Sequence, residues 1–204
     1  MERFGTTDII EASARLKEAV SFDLSNLLET NVECTFNRGQ THRPFNTSGF
    51  ACLEDQLDMG LIDFEHYNES PDILQVDEEA SQMAGLIAIN EYSSLLRSNC
   101  RVTNQPDWGD IFIWMQGKEV PTQTSLLQYI VSMRKENHFH EEICECVFTR
   151  LFDKFLPEEL LVGCLYTRRG GIDINPVRAT NMKLIDFFFS DIISLSTIVK
   201  TARQ

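Results

Sequence analysis

Apolar residues recur at helical spacing over residues 7–29, with Ile9, Ala12, Leu16, Val20 and Leu24 on one stripe and Thr7 or Asp8 as the cap. A short strand is expected over 31–36, followed by turn residues at Asn37-Arg38-Gly39 and a loop over 44–49. Residues 50–80 read as irregular, with one strand near 59–64, and 77–97 read as a second helix carrying Met83, Leu86, Ile87, Ile89 and Leu95. The pattern becomes more regular from Ser98. Residues 108–116 alternate, with Ile111, Ile113 and Met115 on one face and Phe112 and Trp114 on the other, which predicts a strand. Gly117-Lys118 is a candidate hairpin turn.

Residues 125–135 are amphipathic. Residues 141–155 form a further helix with Ile143, Val147, Leu151 and Phe155 on its stripe, acids first and bases last, and Pro157 stops it. Residues 160–166 read as a strand, broken by Arg168-Arg169-Gly170-Gly171, and 172–176 run on as an edge segment because Pro176 cannot donate to a ladder. Two helices on one face of an antiparallel sheet make an α+β fold class.

Charge changes the picture regionally. The 204 residues carry 18 Lys+Arg and 31 Asp+Glu, a net charge of −13. Residues 51–100 hold eleven acids and one base, Arg97, so that window is either a solvated connector or an acidic docking surface. Excess acid argues against a sequence-independent nucleic-acid binder, and leaves room for a small-molecule enzyme with a local basic pocket. No stretch reaches the ~18–20 apolar residues of a membrane span. The first 19 residues carry three acids and no apolar core of a secretory signal. Six cysteines without a C-x-x-C pair then read as free thiols of a cytoplasmic protein. No metal site is expected: Cys144 and Cys146 diverge on their helix, and His138 and His140 lack a third ligand.

Three segments could carry chemistry. Cys100, placed just after the 77–97 helix and before Asn104-Gln105-Pro106-Asp107-Trp108, is either a small buried hydrophobe or a loop nucleophile with Asp107 as its proton donor. In His138-Phe139-His140-Glu141-Glu142, a carboxylate at a helix N-terminus is held ionised and either caps the helix or accepts from a ligand N–H edge. Arg168-Arg169-Gly170-Gly171 is either a charged turn or a phosphate cradle. Neither G-x-G-x-x-G nor a Walker sequence occurs.

Taken together, SNCRVTNQPDWGD (98–110), FHEE (139–142) and YTRRGGIDINP (166–176) closely resemble the NADPH-dependent 7-cyano-7-deazaguanine reductases of queuosine biosynthesis, nitrile reductases of the tunnelling fold. The resemblance is strong over about 95–178 and is to the second module of the long, two-module bacterial form. It implies that Cys100 attacks the nitrile carbon to give a thioimide and that Asp107 donates the proton. It also implies that His140 and Glu141 hold the deazaguanine and that Arg169 and Gly170 contact NADPH. The implied partners are the small-molecule nitrile and a second copy of the chain, a homodimer or higher oligomer, with no membrane and no direct nucleic acid.

The chain departs from the family pattern in two places. The family's Glu-Ser-Lys-Ser signature is not found, since Glu69-Ser70 is followed by Pro71, and Val177 stands where the family usually has an aromatic. The resemblance therefore describes a two-module protein lacking the start of its first module. Residues 1–50 would be the remnant of that module, 51–97 an acidic connector, 98–180 the catalytic module and 181–204 an apolar tail, including Phe187-Phe188-Phe189 as tail packing or a subunit contact. Two other functions follow from the same residues: an amidino-forming relative acting on the same nitrile in tRNA, or an inactive, shortened subunit that needs a separate first module.

Overall fold

A computed structural model of the chain describes residues 9–34, 49–82 and 85–193. The chain divides into two compact units, residues 1–42 and 43–204. The first unit holds helix α1 (Ile9–Leu28). The expected cap at Thr7 or Asp8 lies outside the described residues. After Leu28 the chain turns at Glu29, whose φ is +52°. Ser25 Oγ accepts from Val32 N at 2.9 Å and Ser21 Oγ from Cys34 N at 3.2 Å, so the helix's own serines satisfy the segment where a strand was expected. No strand forms over 31–34, and 35–48 lie outside the described residues.

The second unit is one mixed five-stranded sheet in the order β1-β2-β3-β4-β5. The strands are β1 (Ala51–Cys52), β2 (Ile87–Asn99), β3 (Pro106–Gly117), β4 (Glu159–Tyr166) and β5 (Val177–Ala179). Only β1 and β2 are parallel. Four short helical segments punctuate the early part: α2 (Leu53–Gln56), α3 (Glu78–Ser81), a 3₁₀ turn at Pro71–Ile73 and another at Met59–Leu61 where a strand was expected. Helices α4 (Gln123–Ser132) and α5 (His140–Phe155) pack on one face. Leu126, Leu127, Ile130, Ile143, Val147 and Leu151 meet Ile111, Ile113, Met115, Leu160 and Val162 there. The α+β architecture is therefore observed as expected.

The helix read over 77–97 is instead α3 followed by β2. Its pattern was hidden for two reasons. Polar Glu91, Ser93 and Ser98 occupy buried positions, and a bulge between Ser93 and Leu96 moves the inward positions from odd to even numbers. The bulge amides are satisfied by side chains: Ser94 N donates to Glu54 Oε1 at 2.7 Å and Leu95 N to Ser93 Oγ at 3.1 Å. Glu91 itself accepts from Gln56 and Gln123 amides, each at 2.9 Å. Residues 51–97 are thus built into the same unit as 98–180 rather than spanning between modules, with Leu53, Leu74 and Leu96 fully inside the core.

Gly117-Lys118 does not turn a hairpin. β3 ends there and the chain runs through Pro121, bridged to Val76, into α4, which Thr122 caps by accepting from Ser125 N. The edge strand is β5, one residue past Pro176. On the sheet's other face Phe50, Phe112, Leu161, Leu165, Phe188 and Ile192 form a second cluster. Helix α6 (Met182–Phe187) and the π-helical turn Phe188–Ile193 supply its cover. Phe188 lies so close over Gly163 that a Cβ there would sit 2.2 Å from the ring. Residues 194–204 lie outside the described residues.

Candidate active site

Cys100 follows a strand, not a helix. It opens the six-residue loop that joins β2 to β3, a hairpin closed by the pair Asn99 and Pro106. Within the loop Cys100 N donates to Gln105 O at 2.8 Å and Asn104 N to Cys100 O at 2.9 Å. Asn104 takes φ +55°, a left-handed conformation that asparagine tolerates. The thiol is held below the ordinary cysteine range, first by a hydrogen bond from the Thr103 side chain and then by the backbone amides of Thr103 and Val102. Desolvation and the charge of Asp107 oppose this to a lesser degree. A thiolate-prone, partly accessible cysteine is the reactive kind, and Cys100 is not a buried filler.

Both ends of this loop are anchored. At its start Asn99 N donates to Glu136 O at 2.8 Å, and His138 N donates to Asn99 O at 3.1 Å. Arg101 pairs with Glu142 at 2.9 Å and lies over the Phe139 ring at 5.5 Å. At its end the loop meets the turn after β4. There Arg169 and Ile172 exchange backbone hydrogen bonds across Gly170 and Gly171, whose φ values of +57° and +82° suit a tight turn with two left-handed residues. The Arg169 guanidinium donates from Nη1 to Gln105 Oε1 at 2.7 Å and from Nη2 to Pro106 O at 3.0 Å, and its Nε–Nη2 edge grips Asp107 Oδ1.

Asp107 is 2% exposed, the first buried residue after a run of exposed ones. Its second oxygen lies 3.3 Å from His140 Nε2. The His140 ring stacks on Tyr166 with centroids 3.8 Å apart and planes 5° from parallel. Gly109 makes this stack possible, since a Cβ there would meet Leu165 O at 2.9 Å and Tyr166 Cδ1 at 3.1 Å. His140 Nδ1, Ser98 Oγ and Tyr166 OH are buried with no hydrogen-bond partner among the described residues. Burial pushes the Tyr166 hydroxyl well above the ordinary tyrosine range, so it stays a neutral donor.

Of the two acids that open α5, Glu142 takes the capping role. Its carboxylate accepts from Phe139 N at 2.8 Å, a bond that lowers its pKa, with Arg101 and His138 adding to the effect. Glu141 is exposed and makes no hydrogen bond or ion pair among the described residues. It opens onto a groove of about 470 Å³ along α5, lined also by Glu145, Cys146, Arg150 and Arg178. The structure therefore gathers Cys100, Asp107, His140 and Arg169 around one loop, while Glu141 lies exposed at the start of α5 and lines the groove with Glu145, Cys146, Arg150 and Arg178.

Arg168 forms a two-pronged pair with Asp173 at 3.0 and 2.7 Å. The charged-turn reading of Arg168-Arg169-Gly170-Gly171 is thus realised within the chain. The turn stays open, since nothing lies within 4 Å of a Cβ built on Gly170 or Gly171. Four contributors escaped the sequence reading as individuals: Gln105, Thr103, Gly109 and Tyr166. All lie inside the segments 98–110 and 166–176, so the signal was present as motif and not as chemistry. Among the described residues no group of three or more metal-ligating side chains occurs, and no helix is long and apolar enough to cross a membrane.

Residues 106–184 match the model of the family described as QueF-like protein. An NADPH-dependent 7-cyano-7-deazaguanine reductase of Acinetobacter baumannii (strain SDF) is 40% identical over 167 residues, 81% of this chain and 57% of the relative. One of Psychrobacter arcticus is 43% identical over 177 residues, 84% of this chain and 62% of the relative. The apo archaeosine synthase QueF-Like superposes on 48% of this chain and 95% of its own with a TM-score of 0.42 at 14% identity. The chain thus spans about three fifths of the length of the reductases it matches. Residues 106–184 are thus similar to the QueF-like family, and about four fifths of the chain is similar to the NADPH-dependent 7-cyano-7-deazaguanine reductases.

Proposed function

We propose that the protein reduces the nitrile of 7-cyano-7-deazaguanine to the aminomethyl group with NADPH, through a thioimide on Cys100. The observation that carries this reading is the thiolate-prone Cys100 on a loop whose far end fixes the buried carboxylate of Asp107. The Cys100 sulfur forms a C–S bond to the nitrile carbon as one π bond of the C≡N group breaks. The nitrogen takes up a proton from Asp107, so that over the step the thiol proton ends on nitrogen with Asp107 as its carrier.

Glu141, exposed and without a partner of its own among the described residues, accepts from the ring N–H and exocyclic amine of the deazaguanine. His140 and Tyr166 form the wall behind Asp107. A wrong ring edge leaves donors and acceptors unpaired, which is the basis of selectivity.

The open Gly170-Gly171 turn, flanked by Arg168 and Arg169, each about one-third exposed, fits a cofactor phosphate approached by backbone and guanidinium together. Two NADPH molecules, bound there in turn, would each supply one hydride of the reduction; nucleophile, proton and orientation come from the chain. The acidic net charge and the thiols support a cytoplasmic enzyme that meets the free nitrile rather than nucleic acid. The exposed position of Glu141 supports a site completed by a second copy, in at least a dimer.

The test is substrate-dependent NADPH oxidation, run beside adduct detection. Adduct with oxidation is the expected result. Adduct without oxidation would favour the amidino-forming alternative, and neither would remove both.

A further inference from the structure

Arg169 belongs by sequence to the turn that would meet the cofactor, yet its guanidinium is engaged elsewhere. Three of its nitrogens are committed to the end of the Cys100 loop: Nε and Nη2 at the Asp107 carboxylate, Nη1 at the Gln105 side chain, and Nη2 also at the Pro106 carbonyl. The arginine reaches this loop from a hairpin 62 residues further on in the chain, so the contact is a tertiary clamp and not a local turn.

Residues 101–106 are all exposed, and Asp107 is buried only as β3 begins. A planar guanidinium meeting a carboxylate edge-on while also reaching a backbone carbonyl fixes position and rotation together, which an ammonium cannot do. The groups that face Asp107 are Arg169 from the β4–β5 hairpin, His140 from α5, Cys100 from its own loop, and Tyr166 from β4. Among the described residues, only Arg169 joins the Asp107 side chain to the loop residues before it.

We infer that Arg169 is a positioning residue for the proton donor: its fork sets the Asp107 carboxylate and the far end of the Cys100 loop in the geometry needed for addition to the nitrile, independently of any contact with the cofactor. This rests on the nitrile-addition reading above. It separates from a pure cofactor role because addition of Cys100 to a nitrile needs no cofactor.

The experiment measures single-turnover adduct formation with 7-cyano-7-deazaguanine in the absence of NADPH, on the full chain. It is run alongside hydrogen exchange over residues 100–107 without substrate. Arg169→Ala is expected to slow adduct formation about tenfold to a hundredfold at saturating substrate, with substrate affinity unchanged, as a misplaced catalytic group does. Arg169→Lys keeps the charge but loses the fork, and recovers only part of the rate. In the Asp107→Asn background Arg169→Ala changes the rate less than about twofold, because the two residues act as one unit. Exchange over 100–107 rises in Arg169→Ala.

A normal cofactor-free rate in Arg169→Ala with only a raised KM for NADPH overturns the inference. So does an effect that persists undiminished in Asp107→Asn. If the wild-type protein forms no adduct, the functional reading fails by itself. The exchange measurement then still decides the clamp, and unchanged protection in Arg169→Ala overturns it.

Discussion

The two ends of the candidate site are built in opposite ways. At the Cys100–Asp107 end, every part is held from several directions. Arg101 and the backbone of residues 136–138 tie the loop at its start, Arg169 ties it at its finish, and the His140–Tyr166 stack backs the carboxylate. At the Glu141 end the Glu141 carboxylate, in an open groove that it shares with Glu142 and Glu145, has no partner among the described residues. On the proposed reading, the difference separates two tasks. Bond making requires groups fixed to within fractions of an ångström. Recognition of a polar ring edge requires an acceptor that is ionised and not already spent on its own fold.

Substitutions at the two ends should therefore fail differently. The largest effect belongs to Cys100→Ala, which is expected to abolish both adduct and NADPH oxidation while leaving the thermal midpoint near wild type; residual adduct would place the nucleophile on another cysteine. Asp107→Asn keeps the shape and loses the proton, and adduct formation should fall by about 10²-fold or more. Stopped-flow absorbance of the thioimide reads this directly. Glu141→Ala breaks the contrast from the open side. Substrate affinity should weaken roughly ten- to a hundredfold, the worth of a charge-assisted pair, while the rate of Cys100 alkylation by iodoacetamide stays unchanged. A loss of alkylation instead would mean that Glu141 belongs to the fixed end.

Two smaller changes sharpen the account of how the fixed end is held. Gly109→Ala places a methyl against Leu165 O and the Tyr166 ring, at a cost of about 1–3 kcal/mol. The melting temperature should drop, and adduct formation should slow beyond what stability explains because the His140 stack shifts. Thr103→Val removes the hydroxyl that contributes most to lowering the Cys100 pKa. The thiol then titrates higher, a smaller fraction is thiolate at neutral pH, and alkylation at that pH should slow a few-fold while the rate at high pH converges on wild type.

The region after Asn99 was legible because its physics is local. The alternation from Ile111 to Met115, the stripe from Ile143 to Phe155 and the stop at Pro157 each appear where the sequence places them. The region before it was not. β2 carries Glu91, Ser93 and Ser98 inward and changes phase at a bulge, so period-2 reasoning had no continuous run to find. Its buried carboxylate is satisfied by Gln56 and Gln123, and its bulge by Glu54, partners far away in sequence.

The same distinction holds at the site. Cys100, Asp107, His140 and Glu141 were recognisable as residue types in motif order. The division of labour between Glu141 and Glu142 depends on which of two neighbouring carboxylates folds back to Phe139 N, and the second engagement of Arg169 depends on a hairpin reaching a loop 62 residues earlier. Such contacts are made by the tertiary fold and leave no periodic trace.

The most direct test of the central claim is intact-mass analysis of the protein after mixing with 7-cyano-7-deazaguanine in the absence of NADPH. The expected result is a mass increase of one whole substrate molecule, mapped by peptide analysis to Cys100 and missing from Cys100→Ala. An unmodified wild-type protein at saturating substrate, or an adduct at any other cysteine, would contradict it.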